Sequence, residues 1–296
     1  MTALAWLVDA GADEAIGAEP LDRLAKRAPD ASSAQDDGRD SGQGNASAPQ
    51  RHTVQHPSTR EPSPSRSPRN DPPPVWQATS QALRSHENTL ADAEHAARGA
   101  ASLEALHSAI RDFDGCDLKK TAKNTVISRG APQADVMLIG EAPGRDEDLQ
   151  GAPFVGAAGQ LLDAMLRAAG LDPAKDVYIT NVLFWRPPGN RTPQEQELQL
   201  CLPFTERHIE LVAPRYLAFL GGTSAKALLA EKRGITRLRG QWFAYQHAGL
   251  PSPLPAMPLF HPAYLLRQPA QKRLAWRDLL AFRTAVETQA DPLHSA

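Results

Sequence analysis

The residues best suited to chemistry stand where four short apolar runs end. "VMLIG" (136–140) closes on Gly140 and is followed by Glu141, and "VYITNV" (177–182) carries Asn181. "YLAFLG" (216–221) leads into Gly221-Gly222, and "AMPLFHP" (256–262) closes on His261-Pro262. The chain contains no HExxH, GxxxxGK[ST] or GxSxG pattern and no clustered His/Asp set of the zinc type. What these residues suggest is bond cleavage assisted by charge. A carboxylate and a histidine facing each other can stabilise opposite developing charges, the pattern of an oxocarbenium-like sugar with an anionic leaving group. Pattern alone does not select that reaction from other hydrolyses.

Such residues meet only if the chain between them brings the runs together. Helical patterns separate the four runs. "GQLLDAMLRAAG" follows the first and "TPQEQELQLCLPFTERHIELV" the second, while "GTSAKALLA" and "AQKRLAWRDLLAFRTAVE" follow the third and fourth. The second helix reads as opening with Thr192 as N-cap, Pro193 in its first position and Glu195 closing a capping box. Alternating strands and helices predict an α/β fold of three layers, α/β/α, around a short, about four-stranded and mainly parallel sheet. Ligands in such sheets bind beyond the carboxyl ends of the strands, where Gly140, Glu141, Asn181, Gly221, Gly222 and His261 all stand.

The rest of the chain divides by texture. Residues 1–28 have helical spacing of Leu4, Leu7, Ile16, Leu21 and Leu24, without a basic leader. Residues 29–74 are rich in proline and serine and almost free of aliphatic side chains, so they read as a disordered linker. Residues 75–112 read as a helical lead-in, 113–288 as the catalytic domain and 289–296 as a tail. The first 112 residues hold 11 Lys+Arg against 16 Asp+Glu, a net of −5, and the remainder hold 21 against 18, a net of +3. That bias is compatible with a polyanionic partner. Two cysteines in 296 residues give no disulfide framework, and a reducing cytoplasm is the expected compartment. The apolar runs are too short to span a bilayer.

Three longer stretches add a resemblance. "GEAPGRDEDLQGAPFVGAAGQLLDAML", "YITNVLFWRPPGNRTP" and "HPAYLLR" closely resemble the family 4 uracil-DNA glycosylases, a group that usually carries an iron–sulfur cluster, over about Phe113 to Phe282. The resemblance implies that Phe154 stacks on a flipped base, with Gly140 beside it and Asn181 reading its Watson–Crick edge. His261 is implied to stabilise the departing anion. Glu141 and Glu147 are the carboxylates of the first motif, for water and charge stabilisation, and which of them matters more is left open. Leu265 is the implied wedge, four residues after His261. Gly156, Ser224 and the Gly221-Gly222 turn suit DNA phosphates, and Arg267 a backbone contact. Blander readings stand beside these. Glu147, with Asp146 and Asp148, also suits first-turn acids on a helix dipole, and Ser224 a plain helix start.

The chain departs from the resemblance at the cluster. Four cysteines are implied, but Phe113 and Trp185 stand at two of those positions and only Cys116 and Cys201 remain. Two thiolates cannot supply the four ligands of a [4Fe–4S] cluster, so no cofactor and no metal are expected. The expected protein is a monomeric, monofunctional repair hydrolase that removes uracil from single- or double-stranded DNA and leaves an abasic site. Its N-terminal region is a possible contact for another repair protein. A non-catalytic DNA-binding or polymerase-associated module and a glycosylase of broader base range are the alternatives.

Overall fold

A computed structural model describes residues 75–293 of the chain. The expected helical segment over residues 1–28 and the linker over 29–74 lie outside the described residues. Among the described residues six strands form one sheet: β1 (Ser128–Gly130), β2 (Val136–Gly140), β3 (Val177–Asn181), β4 (Tyr216–Leu220), β5 (Phe243–Tyr245) and β6 (Leu254–Leu259). Their spatial order is β1-β3-β2-β4-β6-β5. The inner four, β3, β2, β4 and β6, are parallel, and β1 and β5 run antiparallel at the two edges. The expected sheet therefore gains two strands and becomes mixed. Each edge strand has only three residues, too few for side-chain alternation to register in the sequence.

Parallel strands buried on both faces read as unbroken apolar runs, and β2, β3 and β4 are buried throughout. Their side chains part by the strand period of two. Val136, Leu138, Ile179 and Ala218 join a core completed by helices α5 (Ala157–Ala168), α9 (Pro262–Arg267) and α10 (Lys272–Thr288). Met137, Ile139, Leu217 and Phe219 face the opposite way. There they pack with helices α6 (Glu195–Val212), α7 (Gly222–Leu229) and α8 (Ile235–Leu238). Three layers result, α/β/α.

A further core lies at one end of the second layer. Helices α1 (Val75–Gly99), α2 (Leu103–Asp112) and α3 (Leu118–Thr121) supply Ala93, Ala97, Leu106, Ile110 and Leu118 to it, against Phe184, Trp185 and Phe204. The packed body thus already includes Ala93, well before residue 113. One helix start differs from the sequence expectation. Helix α6 opens at Glu195 with Gln194 as N-cap, whose N–H donates to Glu197 at 2.7 Å. Glu197 is drawn there by Arg191, which donates to both of its oxygens at 2.9 and 2.5 Å, so Thr192 and Pro193 remain outside the helix.

Candidate active site

The carboxyl ends of the strands open into a crevice of about 510 Å³ lined by Glu141, Phe154, Asn181, Gly221, His261 and Arg267, among others. Sheet register makes the first juxtaposition, because Gly140 and Asn181 are partners across β2 and β3. The ladder runs on past both strands. Val182 N–H donates to Gly140 O at 3.0 Å and Leu183 N–H to Glu141 O at 3.1 Å, which fixes the Glu141 backbone at the crevice mouth. The Glu141 carboxylate makes no hydrogen bond with the described residues and faces the crevice.

Gly140 is required by what crowds over it. A Cβ there would fall 2.4 Å from Asn181 Oδ1 and 2.5 Å from Phe154 Cζ. Only a residue without a side chain lets the amide and the ring share this spot. Asn181 is 1% exposed, and its Oδ1 is buried without a hydrogen-bond partner. A buried acceptor left unpaired costs roughly 1–3 kcal/mol.

Phe154 is held in a backbone conformation that non-glycine residues rarely adopt, with φ +55°. Three features hold it there. Arg129 on β1 donates from Nε to Pro153 O at 2.8 Å and from Nη2 to Phe154 O at 3.3 Å, and pairs with Asp163 at 2.6 Å. Helix α5 approaches so closely at Gly159 that a Cβ there would lie 1.7 Å from Phe154 O. Glu147 closes the loop by accepting from Val155 N–H at 3.0 Å, Gly156 N–H at 2.9 Å and Gly144 N–H at 3.1 Å. Strain of this kind concentrates where surrounding structure over-determines a functional residue.

His261 caps α9. Its Nδ1 accepts from Ala263 N–H at 3.1 Å, so the neutral ring carries its proton on Nε2. Burial, with the Arg267 charge adding to it, lowers the imidazole to about 4, which keeps it neutral at neutral pH. Its ring centre lies 5.6 Å from that of Phe154, the planes tilted by 33°. A neutral N–H donor, an aromatic face and a buried amide thus share one crevice with a carboxylate at its mouth.

Several expected contacts take other places. Leu265 is fully buried in the core beneath α9, whereas the adjacent Leu266 is 44% exposed. Ser224 is buried and donates back to Gly221 O at 3.3 Å. The Gly156 amide is committed to Glu147. Arg267, Gly221 and Gly222 do line the crevice. Pro187, Asn190, Arg191, Ile235, Phe260 and Tyr264 line it too, without having been singled out in the sequence. The sequence around Asn190 does carry a signal. The Pro-Pro-Gly-Asn run marks a tight turn, and both Gly189 and Asn190 have positive φ, +66° and +56°.

A sequence model of the uracil DNA glycosylase superfamily matches residues 127–280, just over half of the chain. The chain belongs to that superfamily. It is 42% identical over 186 residues to a type-4 uracil-DNA glycosylase of Pyrobaculum aerophilum, covering 61% of this chain and 92% of the relative. It is 39% identical over 174 residues to the type-4 uracil-DNA glycosylase of Archaeoglobus fulgidus, covering 56% and 86%. It is also 26% identical over 170 residues to a DNA polymerase of Bacillus phage SP01, covering 57% of this chain and 18% of the polymerase.

The iron–sulfur cluster implied by the resemblance to the type-4 group meets a region of different construction. Cys116 and Cys201 are both buried, in the same core as Phe113 and Trp185. Phe113 stands 5.2 Å from Phe204, ring centre to ring centre, and Phe184 packs edge-on to Trp185 at 6.1 Å and to Phe204 at 6.4 Å. Trp185 Nε1–H donates to Thr125 Oγ1 at 3.0 Å, so the indole is both buried and satisfied. Among the described residues no three His, Cys, Asp or Glu side chains are grouped to hold a metal ion. Two thiols in an aromatic core do not fit a four-thiolate cluster.

Proposed function

We propose that this crevice excises uracil from DNA by hydrolysis of the N-glycosidic bond. The observation that carries the reading is the orphaned Asn181 Oδ1, buried against Gly140 and the Phe154 ring. Uracil N3–H supplies the donor that this oxygen lacks, and uracil O4 accepts from the Asn181 amide NH₂. Cytosine has the opposite polarity at both atoms and leaves buried groups unpaired, and that penalty rejects it. The flipped base stacks on Phe154.

Bond cleavage follows from the charges. As the C1′–N1 bond breaks, negative charge collects on the base and positive charge on the sugar. The His261 Nε2–H donates to uracil O2 and stabilises the departing anion, a kind of contact worth roughly 10²–10³ in rate. Glu141, its carboxylate without a hydrogen-bond partner among the described residues, holds the attacking water and offsets the sugar's charge. Glu147 works through its three backbone hydrogen bonds, by shaping the loop that presents Phe154. Leu266, exposed and next in the chain to the crevice-lining Arg267, is suited to fill the stack that the base vacates, with Arg267 on the backbone. No step requires a metal. An abasic site remains, without strand cleavage.

The proposed enzyme acts as a monomer in the cytoplasm, with residues 113–288 as its catalytic portion. No described helix is long and apolar enough to cross a membrane. The competing reading, a DNA-binding module without turnover, draws on the stretch shared with the phage polymerase. Release of free uracil from a labelled oligonucleotide, with no release of cytosine, is the expected result. Intact binding without release would favour the module, and release of hypoxanthine or thymine would widen the base range.

A further inference from the structure

Behind the crevice lies a buried ion pair that the excision reading does not use. Arg239, which caps the C-terminal end of α8, and Asp278 on α10 pair through Nη2 and Oδ1, their side chains 9% and 5% exposed. Arg239 Nη2 also donates to Leu274 O at 3.0 Å. The guanidinium lies 5.3 Å from the centre of the Phe260 ring, and that ring lies 5.1 Å from the ring of Tyr264. Phe260 immediately precedes His261, and Phe260, His261 and Tyr264 all line the crevice.

Local sequence serves this arrangement. Gly240 follows Arg239 with φ +70°, and a Cβ there would fall 2.4 Å from Asp278 Oδ1. Its N–H donates to Pro258 O at 2.9 Å, tying the turn to β6 two residues before Phe260. The pair is also incompletely satisfied, since Arg239 Nε and Asp278 Oδ2 are buried without hydrogen-bond partners. Replacing such a pair with apolar residues of similar volume is often neutral or stabilising, so stability alone does not account for it. A planar cation against an aromatic face fixes orientation as well as position.

We infer that Arg239 and Asp278 form a positioning pair, clamping the Phe260 ring between α8, α9 and α10 so that the adjacent His261 keeps its reach to the base. The inference rests on the excision reading and adds to it two residues that touch neither base nor sugar. Misplacement of a reacting group by about 1 Å can cost about 10²-fold in rate, which sets the scale of the effect.

Two variants test it against a merely structural role. R239M/D278L removes both charges while keeping apolar volume. R239K keeps the charge and loses the planar face. Single-turnover uracil release, KM, and affinity for an oligonucleotide carrying a tetrahydrofuran abasic analogue are measured beside thermal unfolding. The expected result is release slowed at least about tenfold in R239M/D278L, with KM and affinity within about twofold of wild type and the unfolding temperature unchanged or raised. R239K is expected to fall between the two. If R239M/D278L fails to fold, R239K decides alone, by slow release at undiminished stability. Variants that release uracil at the wild-type rate, or lose activity only as they unfold, overturn the positioning role. A wild type that releases no uracil overturns the excision reading itself, so the two failures are told apart.

Discussion

The ring of Phe154 stands 5.6 Å from the ring of His261, and a Cβ on Gly140 would strike both that phenyl ring and the amide oxygen of Asn181. Residues separated by more than a hundred positions thereby meet at the wall of one crevice. Each of the following outcomes depends on that enclosure or on the packing behind it.

Gly140→Ala should abolish base recognition while leaving the strand in place. The added Cβ would lie 2.4 Å from Asn181 Oδ1, and either the amide or the phenyl ring must shift. A loss of about 10²-fold or more in uracil release is expected, with the far-ultraviolet spectrum unchanged. Release near the wild-type rate would mean that amide and ring need not approach so closely.

Gly159→Ala tests the strain at Phe154. A Cβ 1.7 Å from Phe154 O pushes helix and loop apart, and overpacking of this kind costs about 1–3 kcal/mol. Denaturant unfolding should show that loss, and base stacking should weaken with it. Wild-type stability would show that the helix is free to move aside.

Acid should act in two ways. The His261 imidazole, lowered to about 4 mainly by burial, stays neutral well below the pH at which an exposed histidine protonates. The excision rate should hold through pH 6 and fall as pH drops towards about 4. Protonation then removes the Nδ1 acceptor that holds Ala263 N–H. Stability follows the same sign. The unfolded chain binds protons on its histidines below about 6.5, whereas burial lowers folded His208 to about 3. Stability should therefore decline from about pH 6.5 downwards. A rate profile with a break near 6.5 and a pH-independent unfolding curve would contradict both.

The aromatic core predicts protein without stoichiometric iron or inorganic sulfide. Cys116→Ala with Cys201→Ala should keep the wild-type excision rate. Trp185→Ala should cost about 3–5 kcal/mol in stability, because it empties a fully packed site. Purified protein with four iron atoms per chain and a visible absorption band would refute the aromatic replacement.

Leu265→Ala and Leu266→Ala should separate core from surface. The first removes a fully buried side chain and should lower stability by about 2–5 kcal/mol. The second removes an exposed one and should instead slow excision from double-stranded DNA more than from single-stranded DNA. Equal effects on both properties would remove the distinction.

Much of this was legible in the chain. Gly140, Asn181 and His261 could be found because the central parallel strands are mostly apolar and give way abruptly to residues of another kind. Phe154 was legible only through its motif, since a lone phenylalanine is usually core. The hydrogen bonding of Glu147 was not, because its three amide donors come from turns whose geometry depends on the whole loop. Leu265 and Leu266 differ by one helical position, and only the docking of α9 decides which one faces the core. The edge strands and the Arg239–Asp278 pair left no periodic trace.

The enclosure itself is tested most directly by single-turnover release of uracil from a defined oligonucleotide by wild type and Asn181→Ala, with folding checked by thermal unfolding. The account predicts measurable release by the wild type and a loss of about 10²–10³-fold in the folded variant, on the scale of one lost transition-state contact. Equal rates from the two proteins would contradict it.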